Sequence, residues 1–158
     1  MKSKVMMTAA LAIVLGAGVT FAGSHADPAI QGAIKARQGQ MNLYQLNVGL
    51  LFGMAKGDVE YNAEAAQGAA NNLKALSMLD ASAMWPQGSD MGSVEGTRAK
   101  AEIWTTFPAV FEKAGAMTAA ATAVADVAGN DLASLQGAIG QLGGACNACH
   151  KEFRGRAQ

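Results

Sequence analysis

The sequence predicts an all-α protein folded as an antiparallel four-helix bundle, and three observations support this. The 158-residue chain is rich in alanine and has only 3 prolines, a composition that favours helix. Apolar residues recur at spacings of three and four over four separate segments, which is the period of an amphipathic helix. Turn-forming residues separate these segments, so we expect four helices with three connections in one domain.

The first two helices have recognisable ends. Asp27 can cap the first helix, with Pro28 at its first position, and Gly57 ends it. Asn62 can cap the second helix, which stops before Asp80. The predicted inner faces are Ile30, Ile34, Met41, Tyr44, Val48 and Phe52 in the first helix, and Ala66, Ala69, Leu73 and Leu76 in the second.

A long irregular stretch, residues 80–98, precedes the third helix. It contains Trp85-Pro86 and several glycines, and a connection of this length usually has a function or crosses the molecule. The third helix is predicted to start within residues 98–103, and Pro108 removes a backbone donor and is expected to kink its start. Its predicted seam is Ile103, Phe107, Val110, Ala114, Met117, Ala121 and Val124.

The fourth helix carries the most informative residues. Asn130 or Asp131 can cap it, and its seam follows a strict alternation of three and four: Leu132, Leu135, Ile139, Leu142, Cys146, Cys149 and Phe153. Both cysteines are therefore expected to face the bundle interior, with His150 beside them. Helical bundles build cofactor sites between such facing helices.

Residues 146–150 read C-x-x-C-H, the signature of covalent haem c attachment. Two thiols one helical turn apart can add to the two vinyl groups of a haem, and the adjacent His150 can then ligate the iron. The sequence therefore predicts one covalent haem c, bound through Cys146 and Cys149.

Other uses of these cysteines fit less well. A disulfide between residues three apart on one helix would constrain little of the chain. A thioredoxin-like site needs its cysteines at the start of a helix, and structural zinc needs four ligands. One alternative to haem attachment remains open: an exported bundle whose Cys pair exchanges disulfides without haem.

The N-terminus is typical of a secretory signal peptide, assigned to residues 1–22. Lys2 and Lys4 precede an apolar run, and cleavage is expected after Ala22 or Ala26. We therefore expect a periplasmic protein whose cytochrome domain spans residues 27–158 and whose later segments cannot span a bilayer. The formal net charge is zero, and the chain has no basic stripe, which argues against nucleic-acid binding.

The ending over residues 142–154, the early Arg37-Gln38 pair and the Trp85-Pro86 loop resemble class II cytochromes c, the cytochrome c′ family. The resemblance covers essentially the whole mature chain. It implies that Arg37 and Gln38 contact the haem, and that Met41 lies over its distal face. It also implies that Arg154 packs on the proximal side, although a basic residue is favoured in any last helical turn.

The role of Met41 distinguishes the functional hypotheses. Met41 could simply be a core residue, as methionines on an inner stripe usually are. If His25 is removed with the leader, His150 is the only histidine, and a thioether is the remaining common haem ligand. We expect His150/Met41 ligation, which suits a one-electron carrier in a low-spin branch of the family. The alternative is five-coordinate iron with an open distal face that binds nitric oxide or carbon monoxide.

Neither hypothesis needs a catalytic acid or base, and we expect no enzymatic activity. Lys151, Arg154 and Arg156 could form a positive rim that steers an acidic redox partner protein, or could simply be a solvated chain end. The resemblance also implies that two copies pair through the first two helices. The apolar residues Leu43, Leu46 and Leu50 of the first helix hint at such pairing.

Overall fold

A computed structural model of the chain describes residues 27–156. Its helices are α1 (Pro28–Lys56), α2 (Ala63–Ser77), α3 (Glu102–Thr105), α4 (Phe107–Ala125) and α5 (Leu132–Phe153), with a 3₁₀ turn over Ser82–Met84. The four long helices confirm the predicted four-helix bundle. The predicted signal peptide, with both of its cleavage sites, lies outside the described residues.

Local capping chemistry sets the ends of three of the long helices. The Asp27 carboxylate accepts a hydrogen bond from the Ala29 N–H at 2.9 Å, and Asn62 caps α2 through its side-chain oxygen. Of the two predicted caps of α5, Asp131 is the one used, because its carboxylate accepts from the Ser134 N–H at 2.7 Å. Gly57 ends α1 in the left-handed region, with φ of 82°, which favours glycine.

Each long helix packs on two neighbours, in the cyclic order α1, α2, α4, α5. Hydrogen bonds between helices show that neighbours run antiparallel. Between α2 and α4, Gln67 donates to the Ala125 carbonyl, whereas Thr118, earlier in α4, donates to Ser77 at the end of α2. Between α1 and α5, Gln136 donates to the Ala55 carbonyl at one end of the pair.

The core lies between these four helices and combines leucine with many alanines. Leu51, Leu73, Leu135 and Leu142 are completely buried. Six buried alanines of α2 and α4 belong to this core, and their small side chains let the helix backbones approach closely: Ala66, Ala69, Ala70, Ala120, Ala121 and Ala125. A second, smaller cluster surrounds Phe153 at the end of α5.

The prediction of one continuous third helix was wrong. The chain breaks at Thr106, between the one-turn helix α3 and α4. In a continuous helix Pro108 would have no N–H to donate and its ring would clash with the carbonyl four residues earlier, whereas proline is tolerated in the first turn of a new helix. The break also rotates the start of α4 away from the predicted seam. Phe107 and Ala114, both expected to face inward, are exposed.

The connection from α2 to α3 runs against the end of α5. The Lys100 N–H donates to the Phe153 carbonyl at 3.0 Å, and the Gly155 N–H donates to the Arg98 carbonyl at 2.8 Å. These bonds form a short antiparallel bridge that fixes residues 153–155 against the loop. Within residues 27–156, no helix is long and apolar enough to cross a membrane.

Candidate haem-attachment site

The two cysteines lie one turn apart on the inner face of α5. Cys146 Sγ lies 3.8 Å from Met117 Sδ of α4, and Cys149 packs against the cluster around Phe153. Both side chains are half-buried and both thiols are free. The predicted seam of the last helix therefore brings both thiols towards the interior.

The protein surroundings keep these thiols protonated at neutral pH. Burial raises the pKa of Cys146, and burial followed by the charges of Cys146 and Glu152 raises the pKa of Cys149. Redox-exchange motifs need the opposite, a depressed thiol pKa that produces the thiolate nucleophile. The surroundings therefore disfavour disulfide exchange as the purpose of this pair.

His150 follows Cys149 and lies on the solvent-exposed side of α5. Partial burial, and then the positive charges of Arg154 and Arg98, lower the pKa of its imidazole. At neutral pH the neutral ring is thus favoured, and this is the form that ligates metals. No group of three or more His, Cys, Asp or Glu side chains could hold a metal ion within residues 27–156.

Met41 lies on α1, one turn after Arg37 and about one turn before Tyr44. Tyr44 is near Cys146 of α5, and burial, followed by the charge of Cys146, raises the pKa of Tyr44 to about 12. Since α1 and α5 run antiparallel, this register places Met41 close to the level of Cys149 and His150 along the bundle. Met41 is 38% exposed, although the sequence pattern predicted it on the inner face of α1.

Arg37 has a structural role that sequence reasoning missed. Its guanidinium donates to the Met84 carbonyl, to the Ser89 hydroxyl at 2.7 Å, to the Ser89 carbonyl and to the Thr97 hydroxyl at 2.8 Å. It also stacks 4.6 Å from the centre of the Trp85 ring, and the residue is only 3% exposed. Arg37 therefore holds the long loop against α1.

Gln38 continues this attachment, because its side-chain amide donates to the Gly96 carbonyl at 2.6 Å. The Trp104 indole N–H donates to the Trp85 carbonyl at 3.0 Å, so the loop is also bonded to α3. Arg154 lies just beyond α5, exposed on the same side as His150. Only the Trp85-Pro86 pair hinted at an organised loop in the sequence, and no local pattern paired it with Arg37.

The residues present fit a haem c. Two free thiols and one imidazole form the donor set of C-x-x-C-H attachment, and they lie beside half-buried apolar and aromatic side chains suited to a flat apolar ring. These side chains are Tyr44, Val48, Phe52, Met117 and Ala145. A helical bundle with this donor set on its last helix defines a class, the c-type cytochromes of four-helix architecture.

The comparisons with known proteins agree. The family model described as Cytochrome C′ matches residues 32–154, and the chain belongs to this family. It is 41% identical to cytochrome c-554 of Cereibacter sphaeroides over 125 residues, covering 79% of this chain and 82% of that protein. It is 37% identical to cytochrome c′ of the same organism over 121 residues, 77% of this chain and 81% of the relative.

Solved structures show the same fold. A Rhodobacter cytochrome c′ matches with a TM-score of 0.80 and 36% identity, over 84% of this chain and all of the other. The cytochrome c′ of Thermochromatium tepidum matches with a TM-score of 0.73 and 30% identity, over 83% of this chain and all of the other. The chain is therefore a monohaem c-type cytochrome that binds one covalent haem c.

Proposed function

We propose that Cys146 and Cys149 form the two thioether bonds to the haem, that His150 is an axial iron ligand, and that the protein acts in the periplasm. The C-x-x-C-H spacing on the inner face of α5, with both thiols free, supports the attachment. The signal-like N-terminus and the bacterial c-type relatives support export. The bound haem supplies a one-electron ferrous–ferric couple and an iron that can bind small ligands.

Two functions are possible at the distal face of the haem. The comparisons support binding of a small uncharged ligand at five-coordinate iron more than electron transfer. Several relatives are named cytochrome c′, and solved forms of the Alcaligenes xylosoxidans protein carry bound nitric oxide or carbon monoxide. Met41 and Tyr44 offer this face a thioether and a phenol that burial keeps neutral. Such surroundings admit uncharged diatomic molecules.

The second candidate is a one-electron carrier whose iron is ligated by His150 and Met41. The observation that favours it is the position of Met41, partly uncovered on the inward stripe near the level of His150. No other histidine lies within residues 27–156. Two relatives are named cytochrome c-554 rather than cytochrome c′.

We propose that the protein is not a peroxidase. A peroxidase needs a distal histidine or a free distal arginine to assist O–O cleavage. Arg37 is the one arginine a turn away from Met41, but its hydrogen bonds to Ser89 and Thr97 hold its guanidinium in the loop. We therefore propose that the protein has no catalytic acid or base.

The absorption spectra of ferric and ferrous protein decide between the candidates. A high-spin ferric spectrum, with carbon monoxide bound readily after reduction, is expected for the open face. A low-spin spectrum that Met41→Leu converts to high-spin is expected for the electron carrier. Met54→Leu is the matched control, because Met54 is buried at the far end of α1 and should leave either spectrum unchanged. Absence of any Soret band would refute both candidates.

We further propose that two copies associate through α1. Leu43 and Leu46 are 49% and 71% exposed on this helix, and one solved cytochrome c′ relative shows ligand-controlled dimer dissociation. Sedimentation of the holoprotein should give twice the monomer mass, and Leu46→Lys should give monomers. A monomeric holoprotein at all accessible concentrations would refute this association.

A further inference from the structure

A basic surface surrounds the side of His150 that faces solvent. Four residues form it: Arg98 from the long loop, Lys151 from the last turn of α5, and Arg154 and Arg156 from the end of the chain. Together with His150, Asn147 and Gly155 they line one open depression of about 450 Å³. No acidic side chain contributes to its lining.

The backbone after α5 directs these side chains outward. Arg154 is extended, with φ of −107° and ψ of 123°, and successive side chains of an extended chain point to opposite sides. Phe153 and Gly155 are accordingly buried, whereas Arg154 and Arg156 are exposed. A Cβ at Gly155 would meet the Met91 side chain, so any larger residue there would require that side chain to shift.

The loop fixes the remaining arginine. The Arg98 Nε donates to the Gly155 carbonyl at 2.8 Å, and the Gly155 N–H returns a bond to the Arg98 carbonyl. This reciprocal pair holds Arg98 beside Arg154 and Arg156. The basic surface is therefore built by tertiary structure and is more than a flexible charged end.

Nearby carboxylates do not neutralise this surface. Glu152 lies within the same stretch of sequence, but its carboxylate lies 3.7 Å from Lys113 of α4. Glu102 lies 4.0 Å from Lys100. Within residues 27–156, no ion pair involves any of the four basic residues, so their charges act together beside the proposed iron ligand.

We propose that this basic surface docks a redox protein with a carboxylate-rich face, which exchanges one electron with the haem near His150. The inference rests on the proposal that His150 ligates the haem iron, and it is independent of what occupies the distal face. Clustered charge of one sign attracts an oppositely charged partner and orients it during encounter, and this raises the association rate. No fixed complementarity of shape is needed for such a transient contact.

Small redox reagents of opposite charge test the sign of the potential at this surface. Ferrous holoprotein is oxidised by hexacyanoferrate(III), an anion, or by tris(phenanthroline)cobalt(III), a cation, in stopped flow at ionic strengths of about 10 and 200 mM. The rate with the anion should fall roughly tenfold as salt rises, and the rate with the cation should rise. A flat dependence with both reagents would overturn the proposal.

Matched variants distinguish the effect of this local basic surface from the effect of the protein's net charge. Arg154→Gln with Arg156→Gln should lower the low-salt rate with hexacyanoferrate(III) by about fivefold to tenfold. Lys56→Gln with Lys74→Gln removes the same charge from the α1–α2 side of the bundle and should change the rate by less than about twofold. Equal effects of the two pairs would show that only net charge matters and would overturn the proposal.

The kind of partner is tested by competition. Poly-L-glutamate should slow the oxidation by hexacyanoferrate(III) in the wild-type protein more than in the arginine variant at constant ionic strength. Equal inhibition by inorganic phosphate would indicate a small-anion site, and co-sedimentation with phosphatidylglycerol vesicles without inhibition by poly-L-glutamate would indicate a membrane surface. Either result would overturn the protein-docking proposal. The spin state of the iron is read separately from the spectrum, so failure of either distal-face proposal is recognised independently.

Discussion

Replacement of Arg37 by methionine should destabilise the long loop and the whole protein. The change keeps an unbranched but shorter side chain and removes every donor from a residue that is 3% exposed. The buried Ser89 carbonyl then loses its guanidinium partner, and hydrogen bonds to the Ser89 and Thr97 hydroxyls are lost as well. Net hydrogen bonds to charged groups contribute about 1.5–3 kcal/mol each, and an unpaired buried carbonyl costs about 1–3 kcal/mol.

These contributions do not add in full, because folding also removes the charged guanidinium from water. Burial is also the main reason why the pKa of Arg37 lies below its usual value. We therefore expect Arg37→Met to lower the free energy of unfolding by about 2–4 kcal/mol. Arg37→Lys should lose about half as much, since one ammonium cannot span acceptors on Met84, Ser89 and Thr97.

Urea unfolding of the holoprotein, followed by far-ultraviolet circular dichroism, measures the loss. At a slope of about 2 kcal/mol per molar urea, the midpoint should fall by about 1–2 M. Hydrogen exchange of residues 82–98 should accelerate more than exchange in α2, because the loop can open locally. Lys35→Met, at an exposed residue of the same helix, is the control. A loss below about 0.5 kcal/mol with unchanged exchange in the loop would refute the role of Arg37.

Three further predictions concern the core, a helix cap and pH. Leu135→Ala should lower the free energy of unfolding by about 3 kcal/mol in urea, because Leu135 is completely buried and a cavity would remain. Asn62→Ala should lower it by about 1 kcal/mol in the same assay, because the Ala65 N–H loses its cap. Hydrogen bonds, first from the Ser93 side chain, hold the pKa of Asp90 below its usual value. The stabilisation by Asp90 should therefore be present at neutral pH and lost as pH falls through its folded pKa, and Asp90→Asn should weaken the acid dependence of unfolding.

Each of these has a matched control. Leu46→Ala removes the same atoms from an exposed position and should cost less than about 0.5 kcal/mol, and an equal loss would contradict the buried role of Leu135. Asn62→Ser should retain most of the cap, so a loss equal to that of alanine would argue against capping. Asp58→Asn removes another exposed carboxylate, and an identical change in the acid limb would show that Asp90 has no particular contribution.

The sequence predicted what depends on short-range chemistry. The ends of α1, α2 and α5 follow from Asp27, Gly57, Asn62 and Asp131, because a cap involves residues only two to four apart. The spacing of three and four in the last helix correctly predicted both thiols on one face, since the helical period alone decides which residues share a face. The C-x-x-C-H motif is local as well, and the family's covalent haem agrees with it.

The third helix shows where periodicity fails. Its apolar pattern predicted Phe107 on the inner face, but a break of one residue at Thr106 changes the phase of everything that follows. Pro108 was recognised as a cause of distortion. Whether the distortion becomes a kink or a complete break depends on the packing of α3 and Trp104 against the loop, which the pattern does not contain.

Cys146, Cys149 and His150 thus lie in a stretch of five residues whose chemistry the sequence by itself determined. Only the tertiary structure decided what surrounds them. Arg37 joins its loop partners across 47 to 60 residues of chain, and Arg98 joins Gly155 across 57. Such bonds depend on how separate helices and loops meet, and no spacing within one segment encodes them.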